Sequence, residues 1–138
     1  FTCYSLWLPD EDIYVAVLSN GAPNGPGPTT VAKTIAALAI GDPYPARTPV
    51  SLSDADVRGL SGDYVGPTFP PVTMTTEDGN IVMDMGFDKV TLLAESRELL
   101  YVDDGLEYVE VEWAGDTATS MRFHFEEGVP PEVVTRTE

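Results

Sequence analysis

Histidine occurs once in this 138-residue chain, at position 124, and cysteine once, at position 3. Those two counts bound the chemistry. A lone histidine excludes a metal site built on several imidazoles. A catalytic histidine needs a nucleophile or an orienting carboxylate beside it. His124 alternates with Phe123 and Phe125 in a strand-like run, so it points away from an aromatic core and takes a surface strand position. Cys3 has no basic neighbour in sequence that would favour a thiolate, and reads as a buried structural thiol. One cysteine permits no intrachain disulfide and leaves the redox compartment open.

Three carboxylate groups stand out: Asp10/Glu11/Asp12, Asp54/Asp56 and Asp103/Asp104. A calcium loop needs several oxygens at fixed offsets, a glycine and a distal glutamate, and none of the three has that spacing. Turn and helix-start roles account for them. Glycoside chemistry needs two opposed carboxyls in a cleft, an arrangement that spacing alone does not supply. Serines are few, and neither Gly-x-Ser-x-Gly nor Ser-x-x-Lys occurs. Gly21, Gly25 and Gly27 lie among prolines, outside phosphate-loop spacing. The residues therefore nominate no catalytic, cofactor-binding or metal position.

Charge narrows the partners. Twenty-three acidic residues oppose seven basic ones, giving a net charge of −16, and only Lys33 and Lys89 are lysines. Such a chain repels nucleic acid and anionic membrane surfaces. The acids are spread along the chain, as on a solvated, self-repelling surface; a cation-binding surface is the sharper alternative. Apolar residues make up 43%, enough for a packed core. No apolar run approaches the ~18 residues of a membrane helix.

The elements that would position these residues fall into four segments. A hairpin occupies about residues 2–19, turning at Pro9–Asp12. Its second strand, Ile13-Tyr-Val-Ala-Val-Leu18, is an unbroken apolar run that suits a strand buried on both faces. An isolated hairpin cannot bury both faces of either strand. The opening is thus expected to belong to a larger sheet. A Gly- and Pro-rich loop follows, then a helix at about 29–40, capped by Thr29 or Thr30 and stopped by Gly41 and Pro43. Val31, Ile35 and Leu38 share one face of it, and its apolar character all round calls for a second neighbour. Residues 42–49 form a proline-rich, semi-rigid linker, and Ser53 is an N-cap candidate for a short helical turn carrying Asp54 and Asp56.

After Gly62 the pattern becomes short strands with frequent turns. Eight are expected, at roughly 62–66, 71–77, 80–85, 89–95, 98–102, 107–113, 117–126 and 131–136. Asp78-Gly79 and Asp104-Gly105 suit tight hairpin turns, and Gly115-Asp116 and Glu127-Gly128 mark two more. Val109, Val111 and Trp113 alternate with Tyr108, Glu110 and Glu112; Met121, Phe123 and Phe125 alternate with Arg122, His124 and Glu126. The chain is therefore mainly β: an N-terminal β-hairpin plus one α-helix, then an eight-stranded antiparallel up-and-down barrel, with a two-sheet sandwich as the alternative. Met74, Met83, Met85, Met121, Trp113, Phe123 and Phe125 are large inward candidates, which favours a filled core over a ligand cavity.

Phe1 to Asn20, with its Pro-acid turn and Leu-Ser-Asn end, resembles the last two sheet strands of serine hydrolases related to class C β-lactamases and penicillin-binding proteins. Val31 to Pro45, ending Ile-Gly-Asp-Pro-Tyr-Pro, is similar to their C-terminal helix. Leu60-Ser-Gly-Asp-Tyr64 and the following strands resemble the lipocalin-like C-terminal domain of a D-aminopeptidase-like subset. The resemblance implies three parts: residues 1–45 as the end of a β-lactamase-like domain, 46–60 as linker and helical turn, and 61–138 as a lipocalin-like barrel. It also implies an extracytoplasmic or periplasmic parent enzyme. The family's Ser-x-x-Lys, tyrosine and His- or Lys-x-Gly motifs have no counterpart here, so no catalytic residue carries over and no cofactor is implied. The expected partners are a missing N-terminal catalytic domain or, without it, a second copy through residues 1–41. A small apolar ligand module and a purely structural oligomerisation module are the alternative functions.

Overall fold

Period-two alternation and glycine-bearing turns account for most of the architecture. The computed structural model describes residues 1–21, 26–103, 105–125 and 129–137. The chain divides into two compact units, Phe1–Ala46 and Arg47–Glu138.

In the first unit, β1 (Thr2–Leu8) and β2 (Ile13–Ser19) pair only with each other, in register from Leu8↔Ile13 to Thr2↔Ser19. The turn between them takes Asp12 to φ 54°. Helix α1 (Pro28–Ile40) starts at Gly27 with Pro28 in its first turn, so Thr29 and Thr30 lie inside the helix instead of capping it. Gly41 ends it at φ 80°, where the backbone N–H groups of Gly41 and Asp42 reach the Leu38 and Ala37 carbonyls. The face that α1 turns to the hairpin differs from the expected one. Ala32 and Ala36 are buried with Val15, alongside Tyr4, Leu6, Leu8, Ile13 and Val17. Ile35 and Leu38 are exposed. Alanine, with no side chain beyond Cβ, lets the helix backbone approach the hairpin closely, and the bulky stripe is left outside.

In the second unit, α2 (Asp54–Leu60) precedes eight strands: β3 (Gly62–Val65), β4 (Val72–Glu77), β5 (Asn80–Asp84), β6 (Lys89–Ser96), β7 (Leu99–Val102), β8 (Tyr108–Ala114), β9 (Thr117–His124) and β10 (Glu132–Arg136). They form one closed antiparallel barrel in the order β10-β3-β4-β5-β6-β7-β8-β9, which sets aside the sandwich. Closure is made by Thr135↔Val65 and Arg136↔Tyr64. It leaves no open sheet edge. Asp78 and Gly79 take φ 50° and 83° between β4 and β5, as a type I′ turn demands. Gly105 and Gly115 also have positive φ, whereas Asp104, Glu127 and Gly128 lie outside the described residues.

Tyr64, Met74, Leu100, Met121, Phe123 and Val134 are fully buried inside the barrel. Met85, Trp113 and Phe125 are partly buried against that core. Phe69 stacks on both Phe123 and Phe125, with ring centroids 4.9 and 5.4 Å away. The interior is filled by side chains, as their sizes lead one to expect.

Candidate functional site

Arg136 organises the end of the barrel beside α2. Its Nη1 donates to the Gly59 carbonyl and to Tyr64 Oη, both at 2.9 Å, and its Nη2 donates to the Ser61 carbonyl. Tyr64 Oη in turn donates to the Leu60 carbonyl at 2.7 Å. These bonds satisfy carbonyls left over at the end of α2. Burial pushes the Tyr64 hydroxyl above its ordinary pKa of 10.0, with Arg136 opposing. This is a structural lock, with both terminal nitrogens of Arg136 and the Tyr64 hydroxyl spent on neighbours.

The outer face of β8 and β9 carries the polar halves of the alternation. Glu112 accepts from Ser120 Oγ at 2.6 Å and from Arg122, and these bonds hold its carboxyl below the usual range. His124 Nε2 lies 3.1 Å from Glu110 Oε2, and its ring stacks on Tyr108 at 4.3 Å. His124 is thus the strand-surface residue expected from its alternation. It has an orienting carboxylate in Glu110, and among the described residues no serine or cysteine side chain pairs with its ring.

Sequence reasoning missed Arg47. Its guanidinium sits over the rings of Tyr108 and Tyr101, 4.9 and 5.6 Å from their centroids, and pairs with Glu95 at 2.7 Å. Only 9% of the side chain is exposed. Three residues on, the Val50 N–H donates to the Ala94 carbonyl at 2.7 Å. Residues 47–50, expected as part of a linker, are strapped to the barrel. The signal available in the sequence was an arginine with no local acid to pair with.

The carboxylate groups stay apart. Asp10, Glu11 and Asp12 form the exposed hairpin turn. Asp56 accepts from Ser53 Oγ, its N–H donates to the same oxygen, and its carboxylate lies 3.4 Å from Arg97. Ser53 is the N-cap expected. Asp103 sits in an exposed turn, and Asp104 and Gly25 lie outside the described residues. Among the described residues no three His, Cys, Asp or Glu side chains converge as a metal site.

The feature best suited to recognition is the hairpin face turned away from α1. It presents Cys3, Ser5, Trp7, Tyr14, Ala16 and Leu18, all exposed. Cys3 is therefore a free, exposed thiol, contrary to the buried reading. The facing strand β2 is apolar on both faces over Ile13–Leu18, and α1 covers only the other one. No charged side chain lies on this bare face. Among the described residues no helix is long and apolar enough to cross a membrane. No protein-family model, no curated protein and no solved structure matches the chain.

Proposed function

We propose that this chain is the non-catalytic C-terminal module of a serine hydrolase of the class C β-lactamase and penicillin-binding-protein type. The hairpin and α1 would complete the sheet of the catalytic domain. The barrel would be an accessory that shapes substrate access or assembly. One observation carries this reading: a two-stranded sheet whose second strand is apolar on both faces, covered on one only. Trp7, Tyr14 and Leu18 on one side and Ile35, Leu38 and Ile40 on α1 remain exposed. Apolar surface of this kind costs roughly 25 cal/mol per Å² while it stays in water. The free edges of β1 and β2 also invite further strands. A helix packed on a sheet that continues sideways satisfies both demands.

The coding sequence upstream of Phe1 tests the proposal. A Ser-x-x-Lys motif followed by a tyrosine motif and a His- or Lys-x-Gly strand supports it; an unrelated upstream domain overturns it. A second arm is enzymatic. The purified chain should leave nitrocefin, p-nitrophenyl esters and D-amino-acid anilides untouched, and saturable turnover by the chain alone would refute the non-catalytic role.

A further inference from the structure

Asparagine occurs at positions 20, 24 and 80, and the first two precede glycine. Asn24 and Gly25 lie outside the described residues. The other two asparagines stand in opposite settings. Asn80 opens β5, opposite Glu77 in the β4–β5 ladder, and its successor is Ile81. Ile81 is buried, and its branched Cβ crowds its own backbone nitrogen. Asn20 is exposed and follows Ser19, the last residue of β2 and the last rung of the hairpin ladder.

Gly21 leaves its own nitrogen open. It has no Cβ, and a Cβ built there would meet nothing nearer than the Ser19 hydroxyl at 4.0 Å. Its N–H donates to that same oxygen at 3.4 Å, outside the roughly 2.7–3.2 Å of a well-formed bond. Neither Asn20 nor Gly21 belongs to a strand or helix, and glycine reaches backbone conformations closed to other residues. Rotation about the few bonds between them is all that bringing Asn20 Cγ to the Gly21 nitrogen requires, and intramolecular reactions of this kind gain from that proximity.

We propose that Asn20–Gly21 is a site of spontaneous, one-way modification of the folded chain, by deamidation through a cyclic imide. The Gly21 nitrogen attacks Asn20 Cγ and gives up its proton. The new C–N bond closes a five-membered ring, the Cγ–Nδ2 bond breaks, and the side-chain nitrogen leaves with a proton as ammonia. Water, the only co-reactant, then opens the ring at one of its two carbonyls. Opening at Cγ leaves aspartate. Opening at the main-chain carbonyl leaves isoaspartate, with the chain running through Cβ and Cγ. Either product adds one negative charge two residues beyond Leu18, at the end of a hairpin face that carries none. Isoaspartate also inserts a methylene into the main chain between β2 and α1. The site stands independently of the serine-hydrolase reading.

Warm incubation of the full chain in mildly alkaline buffer, followed by trypsin and fragmentation mass spectrometry, tests the proposal. The peptide ending at Lys33 carries Asn20 and Asn24, which the fragment series tells apart; the peptide ending at Lys89 carries Asn80 as the internal control. Asn20 should convert to aspartate and isoaspartate about ten-fold faster than Asn80 or more, a barrier difference of about 1.4 kcal/mol. Gly21→Val, at a position with open space around it, should slow conversion of Asn20 by about ten-fold or more through its branched Cβ. The same incubation in urea should speed Asn80 and leave Asn20 little changed, because the fold protects only Asn80. The proposal is overturned if Asn20 stays an amide, converts no faster than Asn80, reacts only in urea or is not slowed by Gly21→Val.

Discussion

Trp7 and Tyr14 stand directly opposite one another across β1 and β2, on the hairpin face that α1 leaves uncovered. They are 62% and 67% exposed. Aromatic cross-strand pairs normally stabilise a sheet by packing against each other and against a covering layer. Here the first contact is available and the second is not. The charges of this unit sit elsewhere, at Asp10–Asp12, Lys33 and Asp42, so nothing on the face itself opposes association.

Self-association that grows with salt is the first expected outcome. Repulsion between chains of charge −16 is screened over about 8 Å at physiological ionic strength, while apolar contact is not screened. Sedimentation of the full chain should show dimers or larger species increasing from low to high salt. Trp7→Glu combined with Tyr14→Glu should stay monomeric throughout, as should a polypeptide of residues 47–138. A full chain that remains monomeric at high salt removes the argument from the bare face.

Gly59 gives a sharper test of the barrel. It lies in α2, where alanine is ordinarily the better helix former by about 1 kcal/mol. A Cβ at this position, however, would stand 2.0 Å from the Asp116 carbonyl oxygen and 2.8 Å from the Trp113 ring. The first neighbour is backbone and cannot step aside cheaply. Overpacking of this kind costs about 1–3 kcal/mol. Gly59→Ala should therefore destabilise the protein in urea despite its helix preference. An unchanged or raised midpoint would show that the β8–β9 turn yields freely.

The barrel was legible because its cues are local. Val109 and Val111 alternate with Glu110 and Glu112 at the strand period, and Asp78-Gly79 announces its own turn. Where reading failed, the deciding fact was a neighbour. Cys3 and the Ile35/Leu38 stripe are apolar by type, and only tertiary packing decides that Ala32 and Ala36 take the buried side. Arg47 was invisible for the same reason, since Glu95, its ionic partner, is 48 residues away.

Alkaline pH should act through Tyr64. Its folded pKa is raised above the ordinary 10.0 by burial. A raised pKa means that the native state resists ionisation, so its contribution is whole below pH 10 and is lost as pH climbs through the folded value. Tyr64→Phe removes the bonds to the Leu60 carbonyl and Arg136, at a cost of about 1–3 kcal/mol near neutrality. The gap between wild type and Tyr64→Phe should narrow above pH 10 in urea melts taken at successive pH values. A gap that stays constant would mean that the hydroxyl ionises as easily folded as unfolded.

Arg47 should govern the strap. Its guanidinium is held between aromatic faces and a carboxylate, with Tyr108 and Tyr101 within 4.9 and 5.6 Å and Glu95 at 2.7 Å. A partly desolvated cation–π contact is worth about 0.5–2 kcal/mol. The pair with Glu95, which is 42% exposed, adds little to that because water screens it. Arg47→Ala is therefore expected to cost about 1–2 kcal/mol, chiefly through lost stacking and packing of the stem. Arg47→Lys should recover only part, since an ammonium cannot lie flat on the rings as a guanidinium does. The local readout is the Val50 amide. Its hydrogen bond to Ala94 is an isolated bridge, with no further ladder to hold it. Loss of the Arg47 clamp should speed Val50 amide exchange more than that of amides inside the β8–β9 ladder. Equal acceleration everywhere would assign Arg47 to global stability, and unchanged Val50 exchange would mean that the strap holds without it.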